Sequence, residues 1–571
     1  MKTKKPLNRI GPILLSIFLT VVSCSKEEPS NTRSQLWPMS AYTLVTDEHL
    51  QGHLEIEKSN KDKNKEDLFF EQFALIAPER VTWEDEDRVL ELDKVIILKK
   101  YQMINDLLTT ELKSITQTTS LDEKLYAQYL NQELNLISMF DKYHIEDWQQ
   151  VLGKPELLRN ELTSINSISG RRKQFLNLVK FLLTSDFYQK LYNRIEEEYP
   201  KSEFHLLEDV EHFEELIKNP ESLGAEWEKL ASTFEDQEIV EVVSQLNLKQ
   251  SQFFIGIDSL KEKYPSIKLQ SIKNHEPAYY DLYAARLKTH GIYHSPELVY
   301  EWAQKAWNDV GPYEELIKVP FTKSVEMIQA YEKSQLQIQD WLKKEKIISV
   351  PKSSLLFYYD EENLLYPYPI MYPNFMNGEP YVVIPQFEEL TKNKMDFLYK
   401  DSIKVVLIHE GRPGHELQEK VMNKAKLNKL RKNYLFNTAL VEGWALYAES
   451  MMEESSIISP DEKKYFKHFY RTRIARALID YKIHHHQMDQ DEAINFLKTE
   501  LNLSEGFAQN EVDRILNDPG RESSYFYGRT ILENEFKDKS KSNLPCYYDH
   551  LLKSGYFYLN FLKEILESSK C

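Results

Sequence analysis

Val405-Val406-Leu407-Ile408-His409-Glu410-Gly411-Arg412-Pro413-Gly414-His415 sets a short apolar run against two imidazoles and a carboxylate. Imidazole nitrogen is a preferred zinc ligand, and a carboxylate beside the ion can take the proton of an attacking water. The usual zinc-helix spacing is H-E-x-x-H. Its histidines are four apart, so they sit about 40° apart around the axis and share a face. Here they are six apart, which on a regular helix separates them by about 120°. Pro413 removes a backbone donor and clashes with the preceding turn, and Gly414 tolerates unusual dihedrals. The spacing therefore predicts a helix carrying His409 and Glu410, then a kink or short bulge at Pro413-Gly414. A second helical segment should start near His415 and run through Gln418 and Val421. Two surface histidines flanking a turn would read the same way, so the pattern needs a third ligand.

Glu442 is the candidate, in Val441-Glu442-Gly443-Trp444-Ala445-Leu446-Tyr447-Ala448-Glu449. The segment is helical by pattern, and Glu442 and Glu449, seven apart, share a face. A solvated acidic edge is the plain alternative. With His409 and His415 upstream, a division of labour suggests itself: Glu442 binds the metal, and Glu449 hydrogen-bonds a liganding histidine and fixes its tautomer. Two histidines and one glutamate leave a fourth position open, as catalytic zinc requires.

Around this centre the chain is long and acidic. Its 571 residues call for two subdomains or one large layered domain, and a hydrophobic content of 42% is enough for a substantial core. Formal net charge is −18, and it becomes −22 without Lys2, Lys4, Lys5 and Arg9, the only charged groups of the first 23 residues. That sign argues against a nucleic-acid partner.

Those four basic groups precede the apolar stretch from Ile13 to Val22, which is too short to span a bilayer comfortably. Residues 1–23 thus read as an export signal. It ends in Val21-Val22-Ser23-Cys24, which resembles a bacterial lipobox, with Cys24 as the lipidated residue. Acyl chains there would hold the protein at a membrane of the cell envelope. Ser25-Lys26-Glu27-Glu28 resembles a Lys-plus-acid surface-export tag. Only Cys546 and Cys571 remain; export permits a disulfide between them, and spacing alone does not decide it.

Residues 24–66 read as a polar tether and 67–346 as a helical region, with a capping box at Ser120-Leu121-Asp122-Glu123 and breaks at Gly311-Pro312 and Val319-Pro320. Residues 347–571 would hold the metal site. The β-prone runs Leu355-Leu356-Phe357-Tyr358-Tyr359 and Tyr381-Val382-Val383-Ile384 predict two strands joined by a long connection. The expected fold class is mainly α, with a small β element at about 350–388 before the active-site helix.

The residues quoted from His409 to Gln418 and from Glu442 to Glu449 resemble the signatures H-E-x-x-P-G-H-H-x-Q and E-G-W-A-x-Y-x-E. These mark a largely uncharacterised bacterial family of long helical proteins similar to the gluzincin metallopeptidases. Glu416 stands where that family often has another histidine, and it would point away from His415 by about 100° on a helix. Arg473-Ile474-Ala475-Arg476-Ala477-Leu478-Ile479-Asp480-Tyr481-Lys482-Ile483-His484 resembles the family's R-x-x-R-x-x-x-D-x-G-x-H, with Lys482 in place of the glycine. Pro519-Gly520-Arg521-Glu522-Ser523-Ser524-Tyr525-Phe526-Tyr527-Gly528 matches P-G-x-x-x-x-Y-x-x-G. The likeness is good from about 350 to 535.

The resemblance implies a multi-helix gluzincin-like fold, one zinc ion per chain and hydrolysis of a peptide or small amide, in the manner of a carboxypeptidase or oligopeptidase. Glu410 would be the general base, and Tyr525 or His484 would donate to the developing oxyanion. Asp480 would orient His484 across one helical turn. Arg473, Arg476 and Arg521 would hold a terminal carboxylate, unless they serve in structural ion pairs. Tyr381-Val382-Val383-Ile384 could be an edge strand that pairs with an extended peptide, although core packing is the commoner fate of such a run. Two other classes remain open: a metal-dependent hydrolase of a non-peptide amide or ester, and a surface binding lipoprotein without catalysis. Glu410 argues against the second, since a pure binding site needs no base.

Overall fold

In the computed structural model, the residues described are 94–115, 120–142, 187–198, 237–263, 277–359, 369–376, 379–384 and 399–571, with isolated positions at 69, 179–180, 183 and 387. The export signal, Cys24 and the whole of the tether lie outside them. The fold is mainly helical with one small sheet, as expected from the sequence. Among the described residues, seven helices precede the sheet: α1 (Lys94–Ser114), α2 (Leu121–Lys142), α3 (Phe187–Glu198), α4 (Gln237–Lys263), α5 (Pro277–Thr289), α6 (Pro296–Val310) and α7 (Ser324–Glu345). The chain divides into two units. One contains α1, α3 and α4; the other contains the start of α2 and all of 277–571. In the first, Tyr188 of α3 packs on Phe253 of α4 at 5.7 Å between ring centroids. The candidate site lies wholly in the second.

The capping box is in place: Ser120 N–H donates to Glu123 Oε2 at 2.8 Å, and Glu123 N–H to Ser120 Oγ at 3.2 Å. The break at Gly311-Pro312 follows the last residue of α6. The sheet has three strands rather than two. β1 (Leu356–Tyr359), β2 (Ile370–Met376) and β3 (Glu379–Ile384) lie in the order β1-β3-β2. The missed strand, β2, falls inside the Pro- and Gly-containing connection and pairs antiparallel with β3, with a register shift between Tyr372 and Met376. β1 runs parallel to β3, Leu356 opposite Tyr381. This corrects the edge-strand reading of Tyr381-Val382-Val383-Ile384: β3 is central, paired on both sides, and its four residues are buried. Core packing is their role.

After the sheet come α8 (Ile403–Val406), a π turn over Leu407–Gly411, and α9 (His415–Lys424). They are followed by α10 (Thr438–Glu453), α11 (Pro460–His484), α12 (Gln490–Leu501), α13 (Glu505–Asn517), α14 (Arg521–Phe536), α15 (Leu544–Lys553) and α16 (Leu562–Glu567). Ser459 and Glu462 form a capping box that opens α11, with Pro460 at its first turn. Ala303 of α6, Ile474, Ala477 and Leu478 of α11 and Phe526 of α14 form a buried cluster. It fixes α11, which carries Arg473 and Arg476, against α14, which carries Tyr525. Helices α10 and α14 cross closely at a glycine pair. A Cβ on Gly443 would stand 2.5 Å from Gly528 Cα, and one on Gly528 would overlap the Ala439 carbonyl oxygen. Glycine at both positions lets the backbones meet and brings the helix bearing Glu442 against the one bearing Tyr525. Cys546 and Cys571 form a disulfide that ties the C-terminal residue to α15. No helix among the described residues is long and apolar enough to cross a membrane.

Candidate metal centre

The stretch that opened the sequence reading folds as a broken helix. α8 widens into the π turn at Leu407, and Arg412 N–H closes it on Leu407 O at 3.1 Å. The chain turns at Pro413-Gly414, and Gly414 N–H reaches back to Ile408 O at 2.9 Å. A side chain at Gly414 would overlap the carbonyl oxygens of both His409 and Ile408, so the turn requires glycine. Trp444 pins it from α10 by donating its indole N–H to Pro413 O at 2.9 Å. α9 then restarts at His415. The ring of His415 meets that of His409 edge-on, with centroids 4.8 Å apart.

His415 therefore does return to His409. Ligand atoms of His409, Glu410 and His415 all lie within 4.8 Å of one another. Glu442 completes the group: its Oε2 is 3.3 Å from His409 Nε2 and 3.2 Å from His415 Nε2. On the far side of the first ring, His409 Nδ1 meets Glu449 Oε1 at 2.7 Å. Because Glu449 accepts at Nδ1, Nε2 is the nitrogen that faces Glu442 and the one that would give its lone pair to a metal once deprotonated. Glu410 Oε2 accepts the N–H of Met371, on β2, at 2.8 Å. The small sheet thus holds the candidate base, a contact that sequence reading missed because the strand itself was missed.

The donor set fits a zinc ion. A tetrahedral ion with bonds of about 2.0–2.1 Å has ligand–ligand edges of about 3.3 Å. The two nitrogen–oxygen separations, 3.3 and 3.2 Å, match that edge. The charge fits as well: Glu410, Glu442 and Glu449 converge with two imidazoles, and a buried cluster of carboxylates needs a cation. Burial opposes ionisation of Glu442, yet the neighbouring His415 and His409 hold its carboxyl well below the ordinary range. Burial likewise opposes protonation of His409, but hydrogen bonds to Glu442 and Glu449 carry its pKa up to about 10. The His409 imidazole here supplies positive charge of the kind that a cation would bring. Glu410 has a raised pKa, chiefly from burial, with the two histidines pulling the other way.

Glu416 does not join the group. It is fully buried and takes Arg412 in a two-pronged pair, Nε to Oε2 at 2.6 Å and Nη2 to Oε1 at 2.8 Å, while Arg412 Nη1 donates to Ser353 O at 2.8 Å. This clamp braces the turn between the two histidines.

The remaining sequence-derived residues separate. Tyr525 is buried; burial first and Glu442 second raise its pKa, which places its phenol in the field of the centre. His484 is not brought there. Its Nε2 lies 3.2 Å from Ile515 O and 3.3 Å from Asp480 Oδ1, and its ring stacks on Tyr283 at 4.9 Å between centroids. It stands eleven residues beyond Arg473 on the same helix, a rise of about 16 Å. That removes it from an oxyanion role. Asp480 does contact His484, but it mainly anchors the start of α14 by accepting Gly520 N–H at 3.1 Å and the Ser523 hydroxyl.

Of the three arginines, Arg476 is a structural bridge. It donates through Nη2 to Glu511 Oε1 at 2.8 Å, through Nε to the same carboxylate, and lies 3.0 Å from Glu522. This corrects its assignment to substrate; Glu511, which the sequence reading passed over, is the reason. Arg473 donates to Phe469 O at 3.1 Å and lies 3.9 Å from Glu449. Arg521 has no such partner among the described residues.

A model of the family described as "Bacterial protein of unknown function (DUF885)" matches residues 375–565, a span that includes every residue of the centre. No curated protein matches the chain. Among solved structures, one from Shewanella oneidensis, described as a "putative lipoprotein of unknown function", aligns at 15% identity and a TM-score of 0.68 over 88% of this chain and 98% of its own. Another, from Colwellia psychrerythraea and described in similar terms as a lipoprotein, aligns at 14% identity and a TM-score of 0.61 over 91% and 98%. At these identities the likeness shows a shared fold. A carboxypeptidase from Pyrococcus furiosus aligns at 9% identity over 92% of this chain and 96% of its own, with a TM-score of 0.37, too low to carry an argument.

Proposed function

We propose that this chain is a zinc-dependent hydrolase that cleaves peptide bonds at the cell envelope. The observation that carries the reading is the convergence of His409 Nε2 and His415 Nε2 on Glu442 Oε2, with Glu410 alongside. A zinc ion held by His409, His415 and Glu442 would supply a Lewis acid and a water of lowered pKa. Glu410 would take the proton of an attacking water and deliver it to the leaving amine. Burial favours this exchange, because it raises the Glu410 pKa towards the range in which a carboxylate both accepts and returns a proton. The Met371 amide fixes the carboxylate while leaving its other oxygen free to work. Glu449 holds the His409 ring in the required tautomer. Tyr525 donates its phenolic proton in a hydrogen bond to the developing oxyanion. The raised pKa keeps that proton in place.

The lipobox-like Val21-Val22-Ser23-Cys24, together with the naming of two structural neighbours as lipoproteins, supports anchoring through Cys24. The membrane is then a partner through the lipid, and the substrate is a peptide or small amide outside the cytoplasm.

Elemental analysis of purified protein tests the metal, with about one zinc per chain expected. Glu410→Gln tests the chemistry: it should keep the metal and lose hydrolysis of a peptide library. Protein that never takes up metal, or a fully active Glu410→Gln variant, refutes the proposal. Turnover of esters or non-peptide amides in place of peptides would move the substrate class.

A further inference from the structure

We infer that Arg521 is a carboxylate grip beside the centre, so that the site takes peptides by a free C-terminus. This rests on the hydrolase reading above and names its substrate class. The three arginines of the neighbouring helices differ in what they hold. Arg476 is spent on Glu511 and Glu522. Arg473 gives one N–H to Phe469 O, lies near Glu449, and sits 5.2 Å from the centroid of the Phe469 ring. Among the described residues, Arg521 makes no side-chain hydrogen bond and has no carboxylate within 4.0 Å, and it is half-buried. A guanidinium carries five donors, and no described residue takes up those of Arg521. Its planar fork matches a carboxylate at two points, so an incoming carboxylate would satisfy it.

Position supports the assignment. Arg521 opens α14 and Tyr525 follows four residues later on the same face. The close crossing at Gly443 and Gly528 sets the turn of α10 that carries Glu442 against the part of α14 that carries Tyr525, and Arg521 is one turn earlier on α14. Tyr525 therefore links the metal group to the free guanidinium. Four residues of helix rise about 6 Å, the length of one to two residues of extended chain at about 3.3–3.6 Å each. A peptide with its scissile carbonyl at the centre and its terminal carboxylate on Arg521 would lose one or two residues per cleavage.

The test is a binding measurement that does not need turnover. Zinc-loaded Glu410→Gln protein is dialysed to equilibrium against a tripeptide library with free C-termini and against the same library with C-terminal amides. Retention of the acids should exceed that of the amides about ten- to a hundred-fold. Adding Arg521→Ala should bring the two libraries to parity, with zinc content unchanged. Arg521→Lys, which keeps the charge but loses the fork, should fall between and covers the case in which Arg521→Ala fails to fold. Equal retention of acids and amides, retention of neither, or a preference that survives Arg521→Ala overturns the inference. Hydrolysis by the wild type is scored separately. A wild type that binds acids through Arg521 yet cleaves nothing defeats the hydrolase reading while leaving the grip established.

Discussion

Two of the buried histidine–carboxylate pairs among the described residues, His409–Glu449 and His484–Asp480, behave in opposite ways. His409 meets Glu449 at 2.7 Å and has its pKa carried up to about 10. His484 lies 3.3 Å from Asp480, and its pKa is pushed down to about 3 by burial. Both are imidazole beside acid, on buried faces, so proximity alone does not make a site. The difference lies in what else converges. His409 presents its second nitrogen to Glu442, with His415 and Glu410 around it. His484 has its ring stacked on Tyr283, and its Nε2 faces a carbonyl oxygen. One pair belongs to a group of donors that could hold a metal ion; the other is a satisfied junction between α11, α13 and the start of α14.

The largest effect should come from breaking the first pair's surroundings. Glu442→Ala removes the oxygen on which both histidines converge. Zinc content should fall from about one per chain to a small fraction, and hydrolysis should vanish with it. Glu442→Ala protein that still holds a full equivalent of zinc would show that Glu442 is not a ligand. Next, Glu410→Gln should leave zinc in place and lower kcat by about 10²–10⁴-fold, the usual yield of one general acid–base group. Glu449→Ala is milder. It frees the His409 tautomer without removing a ligand, and competitive chelation should show zinc affinity reduced about 10–100-fold. An unchanged affinity would reduce Glu449 to a packing residue.

Much of that first region could be read from the chain. Two imidazoles and a carboxylate on a short stretch, and a second helix with glutamates seven apart, are local patterns. The break at Pro413-Gly414 was readable because proline and glycine act on their own backbone. The π turn was not, since it depends on what α8 packs against. Nor was the crossing at Gly443 and Gly528: each glycine stands in a quoted motif, but their contact joins positions 85 residues apart. β2 was hidden because its proline and the register shift break the alternation that marks a strand. The roles of the arginines depended on Glu511, whose letter carries no hint that it faces Arg476. His484 was misplaced for a related reason. Its motif places an acid four residues before it, which is correct, but helix rise takes both beyond reach of the centre.

The second pair yields the smallest effects on function and a distinct effect on stability. His484→Ala should leave zinc content and kcat within about twofold and cost roughly 1–3 kcal/mol, since it removes a buried ring and its contacts. Its neighbour sharpens the contrast through pH. Burial raises Asp480 to about 7 and lowers His484 to about 3. Between roughly pH 4 and 6.5 the folded pair therefore holds one proton, on Asp480. The unfolded pair also holds one, on the histidine. Equal proton counts mean that wild-type stability gains no slope from this pair in that window. Asp480→Asn leaves only the histidine term. A group whose folded pKa is depressed contributes stability above its unfolded pKa and loses it as pH falls towards the folded one. Denaturant unfolding of Asp480→Asn should thus weaken on acidification from pH 6.5 to 4 by about 1.4 kcal/mol per unit more than wild type. Parallel pH profiles would mean that the proton sits on His484 in the folded state as well. The second pair would then be an ion pair like the first, and what sets His409 apart would be its ligand neighbours rather than its protonation.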